Sequence, residues 1–438
     1  MERKENRRRL AIAVLANFVL MLTFAFGIAP RFSDHIRPLY SIGPVDNYHS
    51  IAKNIDNGDG YRFTPQTSLT LMREPGYPFF LAGLLRVFDN DHELAIVANI
   101  IFTSLAAFLL SSLARSVSAA RWVSVAAPLL FMLHPGVILS ELRYGVESLF
   151  TLLVLVFLWL LLKALCTRRT ADYVAAGLAL GVASAVRSTA LLFPAFLIVH
   201  ALILKSGWKS LVRAAGRAAL VLACALIALS PWIIRNEMLV GKFVPTASVQ
   251  GIAMQVGEYL CVHAGEKDMD ELDLDAAAVR NRLALEQGYR FQGDYYQFFY
   301  DPKDELKFSH ALGQQVVHEY LQSPALFAKC ASENLFNFWF AGKNRAVTIA
   351  NLCIQLPYLL LALLGVALDF RRMDRPALIL LLLFVAYTVA VYAPIHAQAR
   401  YSMVLVPILS IFAAVPICRL LVSRSERLCS SRSEAARS

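Results

Sequence analysis

Long apolar runs alternate with short polar segments along almost the whole chain. A transmembrane helix needs about 20 apolar residues, and ten runs approach or exceed this length, near residues 10–29, 94–114, 121–139, 146–165, 171–187, 189–204, 214–234, 346–368, 376–395 and 400–422. A further run at 76–88 is too short to span alone, and we interpret it as re-entrant or half-spanning. The pattern predicts an all-α integral membrane bundle of about 10–11 transmembrane helices.

Two long polar segments, 31–75 and 235–345, interrupt this pattern. Of the 438 residues, 57% are hydrophobic and only 17% are charged, against about 25% in soluble domains, so most of the chain must lie in lipid. We therefore interpret residues 1–422 as one membrane domain with two loop insertions, and 423–438 as a basic cytoplasmic tail.

The net charge of +10 is explained by membrane topology, which makes nucleic acid a poor candidate for the partner. Lys and Arg cluster at the ends of apolar runs, and cytoplasmic loops are enriched in these residues. The clusters lie at residues 3–9, 115–121, 163–169, 205–217, 371–375 and from 419 onward. If they are cytoplasmic, both insertions are extracytoplasmic. We therefore expect an integral membrane protein whose insertions face the exterior.

The first insertion contains the stretch GPVDNYHSIAKNIDNGDGY, residues 43–61. Apolar residues recur at helical spacing and glycines follow them, which predicts a short amphipathic helix along the outer membrane surface; the residues are Tyr48, Ile51, Ala52, Ile55, Gly58 and Gly60. Asp46 stands just before this helix, where it could act as an N-cap or as a catalytic carboxylate.

The second insertion is acidic at 266–275, aromatic at 289–302 and helical at 305–340. The aromatic density is typical of a lid at the membrane interface. The acidic run lacks the glycine and glutamate that a calcium loop requires, so we expect a solvated turn. For Cys261 and Cys330 we expect two separate buried thiols; a disulfide in an oxidising compartment is the alternative.

Unusual polar residues gather at the predicted outer boundary of the membrane, where charge is a sign of function. They are Asp46, Arg73, Glu147, Arg187, Arg235, His396 and Arg400. Arginines match phosphate geometry, and a nearby carboxylate could activate a hydroxyl. Each arginine could instead be an interface anchor, and Glu147 could cap its helix or pair with Arg143. No His or Cys spacing is diagnostic of a metal, so we predict no metal site, although a divalent metal stays possible.

Several motifs in order resemble the membrane-embedded GT-C glycosyltransferases, near the bacterial relatives of protein O-mannosyltransferases and the lipid A aminoarabinose transferase. They are DNYHSIAKNIDNGDGY, REPGYPFFLAGLLRVF, SAVRSTALLFPAFLI, SPWIIRN and ARYSMVLVPIL. This resemblance implies a GT-C-like fold and Asp46 as the catalytic residue. It also implies Arg73, Arg187, Arg235 and Arg400 as donor-phosphate ligands, and a bacterial inner membrane with the site facing the periplasm or exterior. From their place at the outer boundary, we add Tyr48, His49, Glu147 and His396 as supporting residues. Protein O-mannosyltransferases usually have Asp-Glu in the first loop, whereas Asn47 follows Asp46 here.

The resemblance implies a glycosyltransferase that moves a sugar from a polyprenyl-phosphate carrier to a lipid, glycan or protein acceptor, with inversion. The alternative from another class is a transporter or flippase of an anionic lipid-linked substrate, which would move its substrate without covalent change. A ligase or polymerase that uses a pyrophosphate-linked glycan is a third possibility. The sequence identifies neither the sugar nor the acceptor.

Overall fold

A computed structural model describes residues 2–28, 47–87, 91–118, 120, 122–143, 145–205 and 207–435. The chain is almost entirely helical. The helices that form the apolar bundle are α1 (Glu2–Thr23, continued by a π-helical turn Phe24–Ile28), α3 (Gly76–Val87), α4 (Asp91–Val117), α5 (Val123–Met132), α6 (Pro135–Glu141), α7 (Glu147–Thr167), α8 (Thr170–Val186), α9 (Phe196–Ile203), α10 (Trp208–Val240), α15 (Arg345–Asp369), α16 (Arg375–Tyr392) and α17 (Val406–Ala435). Short 3₁₀ segments Ser188–Ala190, Phe193–Ala195 and Ala399–Leu405 complete it.

The predicted all-α membrane fold is confirmed. Within the described residues, seven helices are long and apolar enough to span a membrane, and the bent pair α5 and α6 gives an eighth. The runs at 76–88, 171–187 and 189–204 form shorter apolar helices or broken helical segments. Helix α3 has 12 residues, a length of roughly 18 Å against a hydrocarbon core of about 30 Å.

The break between α5 and α6 has a local cause in the sequence. The two helices meet at an angle of 57°. Pro135 lacks a backbone N–H and disfavours helix at the preceding residue, and His134 Nδ1 accepts a hydrogen bond from the Gly136 N–H at 3.2 Å. His134 therefore ends one helix and caps the next.

Close contact between α8 and α10 depends on small residues. A Cβ atom added at Gly177 would lie 2.6 Å from Val221 O, and one at Gly181 would lie 2.5 Å from Ala225 O. Only glycine permits this approach of the two backbones, as at many helix interfaces in membranes. The contact fixes the end of α8, where Arg187 lies.

The two insertions pack together at one end of the bundle, here called the insertion end. The first contains α2 (Tyr48–Asp56); the second contains α11 (Gln250–Val262), α12 (Met269–Glu286), the antiparallel strands β1 (Phe291–Gln292) and β2 (Phe298–Phe299), α13 (Pro302–Gln322) and α14 (Pro324–Phe340). A shared apolar cluster joins them, with Ile51, Tyr61 and Phe63 from the first insertion and Phe299 and Phe308 from the second.

The helix predicted after Asp46 is present, but its apolar face packs on protein instead of lying on the membrane surface. Ile51 and Ala52 are completely buried, and Tyr48 contacts Tyr77 of α3 edge to face at 5.4 Å. The apolar face of a helix can pack on lipid or on other apolar surfaces of the protein, and the sequence pattern does not distinguish these two cases.

Two predictions in the second insertion are wrong. Cys261 and Cys330 form a disulfide, with Cα atoms 5.3 Å apart. The acidic run does not form a solvated turn, because residues from Met269 onward form α12. Acidic residues in its first turn favour the positive end of the helix dipole, which explains why the run begins a helix.

A buried carboxylate fastens the first insertion to the second. Glu305 of α13 accepts hydrogen bonds from Thr70 Oγ1 at 2.7 Å, Leu71 N at 2.9 Å and Ser248 Oγ at 2.6 Å. The chain before α3 is thereby held against the second insertion.

Candidate active site

A cavity opens at the insertion end, between both insertions and the ends of four bundle segments. Its charged lining consists of four arginines and three carboxylates: Arg73, Arg187, Arg280, Arg400, Glu74, Glu147 and Asp273. Aromatic and polar residues complete it, among them Tyr48, Ser188, Tyr295, Tyr296, Tyr392, His396 and Tyr401. Residues far apart in sequence therefore contribute to one site.

Arg73 and Glu74 enter the cavity from the segment before α3. The Tyr61 hydroxyl donates to the carbonyl oxygens of both residues, at 3.1 and 2.9 Å, and fixes the backbone there. The Arg73 guanidinium lies 4.6 Å from the ring centre of Tyr296, within the range of cation–π contact. Glu74 Oε1 accepts hydrogen bonds from the N–H and the hydroxyl of Ser188, at 3.1 and 2.8 Å.

Arg187 ends α8 and crosses toward the start of α7. Its guanidinium lies 3.9 Å from Glu147 Oε1 and 4.4 Å from the ring centre of Tyr401. Glu147 is 8% exposed as a side chain, and Arg187 is 17% exposed. The pair therefore has little contact with solvent, and its charges are weakly screened.

His396 and Arg400 come from the connection between α16 and α17. The Arg400 guanidinium lies 5.3 Å from the ring centre of Tyr401, so Tyr401 is flanked by two arginines. Burial lowers the pKa of His396 to about 4. His396 is consequently neutral at neutral pH and has both a donor and an acceptor nitrogen.

The second insertion supplies residues that the sequence patterns did not single out. Arg280 is fully buried and donates to Gln255 Oε1 at 3.1 Å and to the Tyr295 carbonyl at 3.0 Å. The Tyr295 hydroxyl donates to Asp273. Asp273 and Arg280 are seven residues apart on α12, which is two helical turns, so they share one face of this helix. The sequence analysis missed this face because it predicted a turn over 266–275, the run that contains Asp273.

Arg235 lies outside the cavity lining. Its Nη1 donates to the Thr70 carbonyl and to Asn236 Oδ1, both at 2.9 Å, and its guanidinium lies 4.3 Å from the Trp232 ring. These contacts connect α10 to the chain before α3. The structure therefore gives Arg235 a position that supports Arg73 indirectly.

Asp46 lies outside the described residues, two positions before Tyr48, which lines the cavity. His49 is half-buried on α2 and is not among the cavity-lining residues. Within the part of the chain that the structure describes, no three His, Cys, Asp or Glu side chains are grouped as metal ligands.

Comparisons with known proteins show similarity to one family and to one fold. The family model for dolichyl-phosphate-mannose-protein mannosyltransferases matches residues 72–234. The archaeal oligosaccharyltransferase AglB from Archaeoglobus fulgidus has a similar structure, with a TM-score of 0.55 and 14% identity over 99% of this chain and 52% of AglB. This chain thus spans about half the length of AglB. No curated protein matches in sequence.

Two further solved structures match less well. ArnT from Cupriavidus metallidurans has a TM-score of 0.43 and 14% identity, over 93% of this chain and 78% of ArnT. The arabinosyltransferase EmbB from Mycobacterium smegmatis has a TM-score of 0.35 and 13% identity, over 94% of this chain and 41% of EmbB. The predicted resemblance to GT-C membrane glycosyltransferases is confirmed by the family model together with the shared fold.

Proposed function

We propose that the protein transfers a sugar from a polyprenyl-phosphate carrier to an acceptor hydroxyl in the cavity at the insertion end. The observation that carries this proposal is the convergence of Arg73, Arg187 and Arg400 on one partly enclosed cavity beside the membrane-spanning bundle. The family model that matches residues 72–234 describes dolichyl-phosphate-mannose-protein mannosyltransferases, whose name contains a lipid-phosphate sugar. The similar AglB structure holds a dolichol-phosphate.

The three arginines bind the phosphate of the carrier and stabilise the charge that develops when the sugar leaves. Guanidinium groups form charge-assisted hydrogen bonds to phosphate oxygens, and positioned donors stabilise developing charge most strongly where water is excluded. Tyr401 lies between Arg187 and Arg400, at 4.4 and 5.3 Å from their guanidinium carbons. It thereby orders both arginines before the substrate binds.

Asp46 takes the proton of the acceptor hydroxyl as that oxygen attacks the anomeric carbon. The bond from this carbon to the phosphate oxygen breaks, polyprenyl phosphate leaves, and direct displacement inverts the anomeric configuration. Glu74 and Glu147 are engaged by Ser188 and Arg187 respectively, so we assign them positioning roles. A Glu147→Gln variant should disturb Arg187, whereas Asp46→Asn should remove the base itself.

The cavity faces the extracytoplasmic side of a bacterial inner membrane in this proposal. The disulfide between Cys261 and Cys330 supports that orientation, because disulfides persist in oxidising compartments. The bundle also presents apolar side chains outward, including Ile227, Leu360 and Leu363, as a lipid-facing surface requires.

The test measures release of polyprenyl phosphate by purified protein in lipid nanodiscs, from several polyprenyl-phosphate sugars, with native membrane extract as the source of acceptor. Wild type should release the carrier, and folded Asp46→Asn should not. Equal release from both would refute Asp46 as the base. No release from any donor by wild type would refute the transferase and favour movement of a lipid-linked substrate without covalent change. Parallel reactions with chelator determine whether a divalent metal is needed.

A further inference from the structure

The cavity wall contains polar atoms that the proposed phosphate chemistry does not use. Among the described residues, Asp273 Oδ1 and His396 Nδ1 are buried and have no hydrogen-bond partner. Both residues line the cavity. A buried polar atom without a partner carries a cost of roughly 1–3 kcal/mol, which a bound ligand can offset.

The surrounding contacts hold Asp273 in place. The Tyr295 hydroxyl donates to Asp273 Oδ2, and burial raises the pKa of Tyr295, so this hydroxyl stays protonated. Arg280 donates to the Tyr295 carbonyl at 3.0 Å and fixes the backbone at that residue. Oδ1 of the carboxylate has no hydrogen-bond partner within the protein and can accept a hydrogen bond from a ligand.

Asp273 and Tyr295 are connected to the proposed phosphate site through neighbouring aromatic rings. The rings of Tyr295 and Tyr296 contact each other edge to face at 4.7 Å, and Tyr296 packs on Arg73. A chain of direct contacts thus runs from Asp273 to one of the proposed phosphate ligands. A sugar attached to a phosphate held by Arg73 has this aromatic wall as its neighbour.

The chemistry of the two atoms selects the ligand. A carboxylate oxygen only accepts hydrogen bonds, whereas neutral imidazole has one donor and one acceptor nitrogen. A hydroxyl group satisfies both partners, since it donates and accepts. A second phosphate would meet the negative charge of Asp273. An ammonium group would be attracted by Asp273, but it would also meet the positive charges of Arg280 and Arg400, which oppose the effect of Asp273 at the His396 position.

We propose that Asp273, Tyr295 and His396 form a binding site for the hydroxyl groups of a neutral sugar carried by the polyprenyl-phosphate donor. This inference rests on the proposed function and names the sugar class for it: a hexose or pentose with hydroxyl groups and no charged substituent. Asp273 and His396 contact the sugar, and Tyr295 positions Asp273.

The experiment compares the affinities of nanodisc-embedded protein for undecaprenyl phosphate and for its glucose, mannose, galactose, arabinose and glucosamine derivatives, without acceptor. At least one neutral sugar should bind more tightly than the bare carrier. Asp273→Asn should raise the Kd for that sugar-bearing lipid roughly tenfold, which is the effect expected from loss of a hydrogen bond to a charged group. Its affinity for bare undecaprenyl phosphate should stay within about twofold of wild type.

Asp275→Asn is the matched control, because Asp275 lies on the same helix and pairs at 2.5 Å with Lys267, away from the cavity lining. It should bind every ligand as wild type does. Tyr295→Phe keeps the ring and loses the hydrogen bond to Asp273, and should show a smaller loss for the sugar-bearing lipid alone.

The outcomes separate the two proposals. If wild type binds neither the bare carrier nor any derivative, the proposed function is refuted. If wild type binds the carrier but Asp273→Asn weakens bare and sugar-bearing forms equally, the sugar site is refuted while the transferase stands. Equal binding of glucosamine and neutral derivatives contradicts the selection for a neutral sugar. If Asp273→Asn changes only the KM for a glycan acceptor, the site holds acceptor and the assignment to donor is wrong.

Discussion

Removal of the Cys261–Cys330 disulfide should loosen the segment between these two cysteines, here called the lid, without unfolding the bundle. The bond joins α11 to α14 across 69 positions of sequence. The enclosed segment contains α12, both strands and α13, and therefore contributes Asp273, Arg280 and both lid tyrosines to the cavity. A Cys261→Ala/Cys330→Ala double variant changes little packing, since each side chain is small.

The magnitude follows from the length of the closed loop. A cross-link over about 70 residues removes roughly 4 kcal/mol of conformational entropy from the unfolded segment in the chain-entropy model. Each 1.4 kcal/mol is tenfold in an equilibrium constant, so opening of the lid should become more frequent by up to about a thousandfold. The bundle helices lie outside the loop and should keep their protection.

Hydrogen–deuterium exchange followed by mass spectrometry measures this opening region by region. Peptides from residues 263–329 should exchange faster in the double variant, whereas peptides from 346–368 should not change. Cys353→Ser serves as the control, because Cys353 is an exposed free cysteine. Unchanged exchange in 263–329 would refute the stabilisation. Separately, maleimide should label Cys166, Cys224, Cys353 and Cys418 of denatured, unreduced protein but neither Cys261 nor Cys330. Labelling of Cys261 and Cys330 would refute the bond itself.

Three further variants test the remaining contacts. Glu305→Ala should lower the free energy of unfolding by about 3 kcal/mol, because it leaves one backbone N–H and two hydroxyls without their buried acceptor. As the control, Glu286→Ala at an exposed position should lower it by under about 0.5 kcal/mol. Equal melting temperatures for the two variants would contradict the role of Glu305. Arg187→Gln should raise the Kd for the polyprenyl-phosphate donor roughly tenfold or more, while Arg217→Gln, whose side chain packs on Tyr173 outside the cavity, should leave it unchanged. For His396, the folded-state pKa of about 4 lies below the ordinary value of 6.5, so between these pH values the unfolded chain binds a proton that the folded chain does not. Stability should therefore fall by about 3 kcal/mol from pH 7 to pH 4, and His396→Gln should lose this part of the pH dependence in chemical denaturation.

The sequence was sufficient for the polar residues that stand out against an apolar background. Glu147 and Arg187 are charged residues at the ends of long hydrophobic runs. A charge at such a position is costly unless it has a function or an oppositely charged partner. The structure places both in one cavity at 3.9 Å separation. Their position at the ends of predicted helices made a common location at one boundary predictable before any contact was known.

Residues within polar segments gave no comparable signal. Asp273 and Arg280 lie in a polar segment of the sequence, where charged side chains are common and a single one gives no indication of a functional site. Arg235 shows the opposite failure, since its sequence context matches that of Arg187 but its guanidinium binds Thr70 and Asn236 outside the cavity. A contact at a helix end depends on how the insertions pack, and local pattern does not contain that information.

The sequence by itself determined that the chain is an all-α membrane bundle with two polar insertions, because the transfer of apolar side chains into lipid is a local property of each run. It also determined that Arg187 lies at the end of a helix. Only the tertiary structure decided that Cys261 meets Cys330, that α2 packs on protein, and that Asp273 and His396 line the same cavity. Those outcomes depend on close packing between segments far apart in sequence, such as Thr70 and Glu305, which are 235 positions apart. Such packing is a property of the whole folded chain.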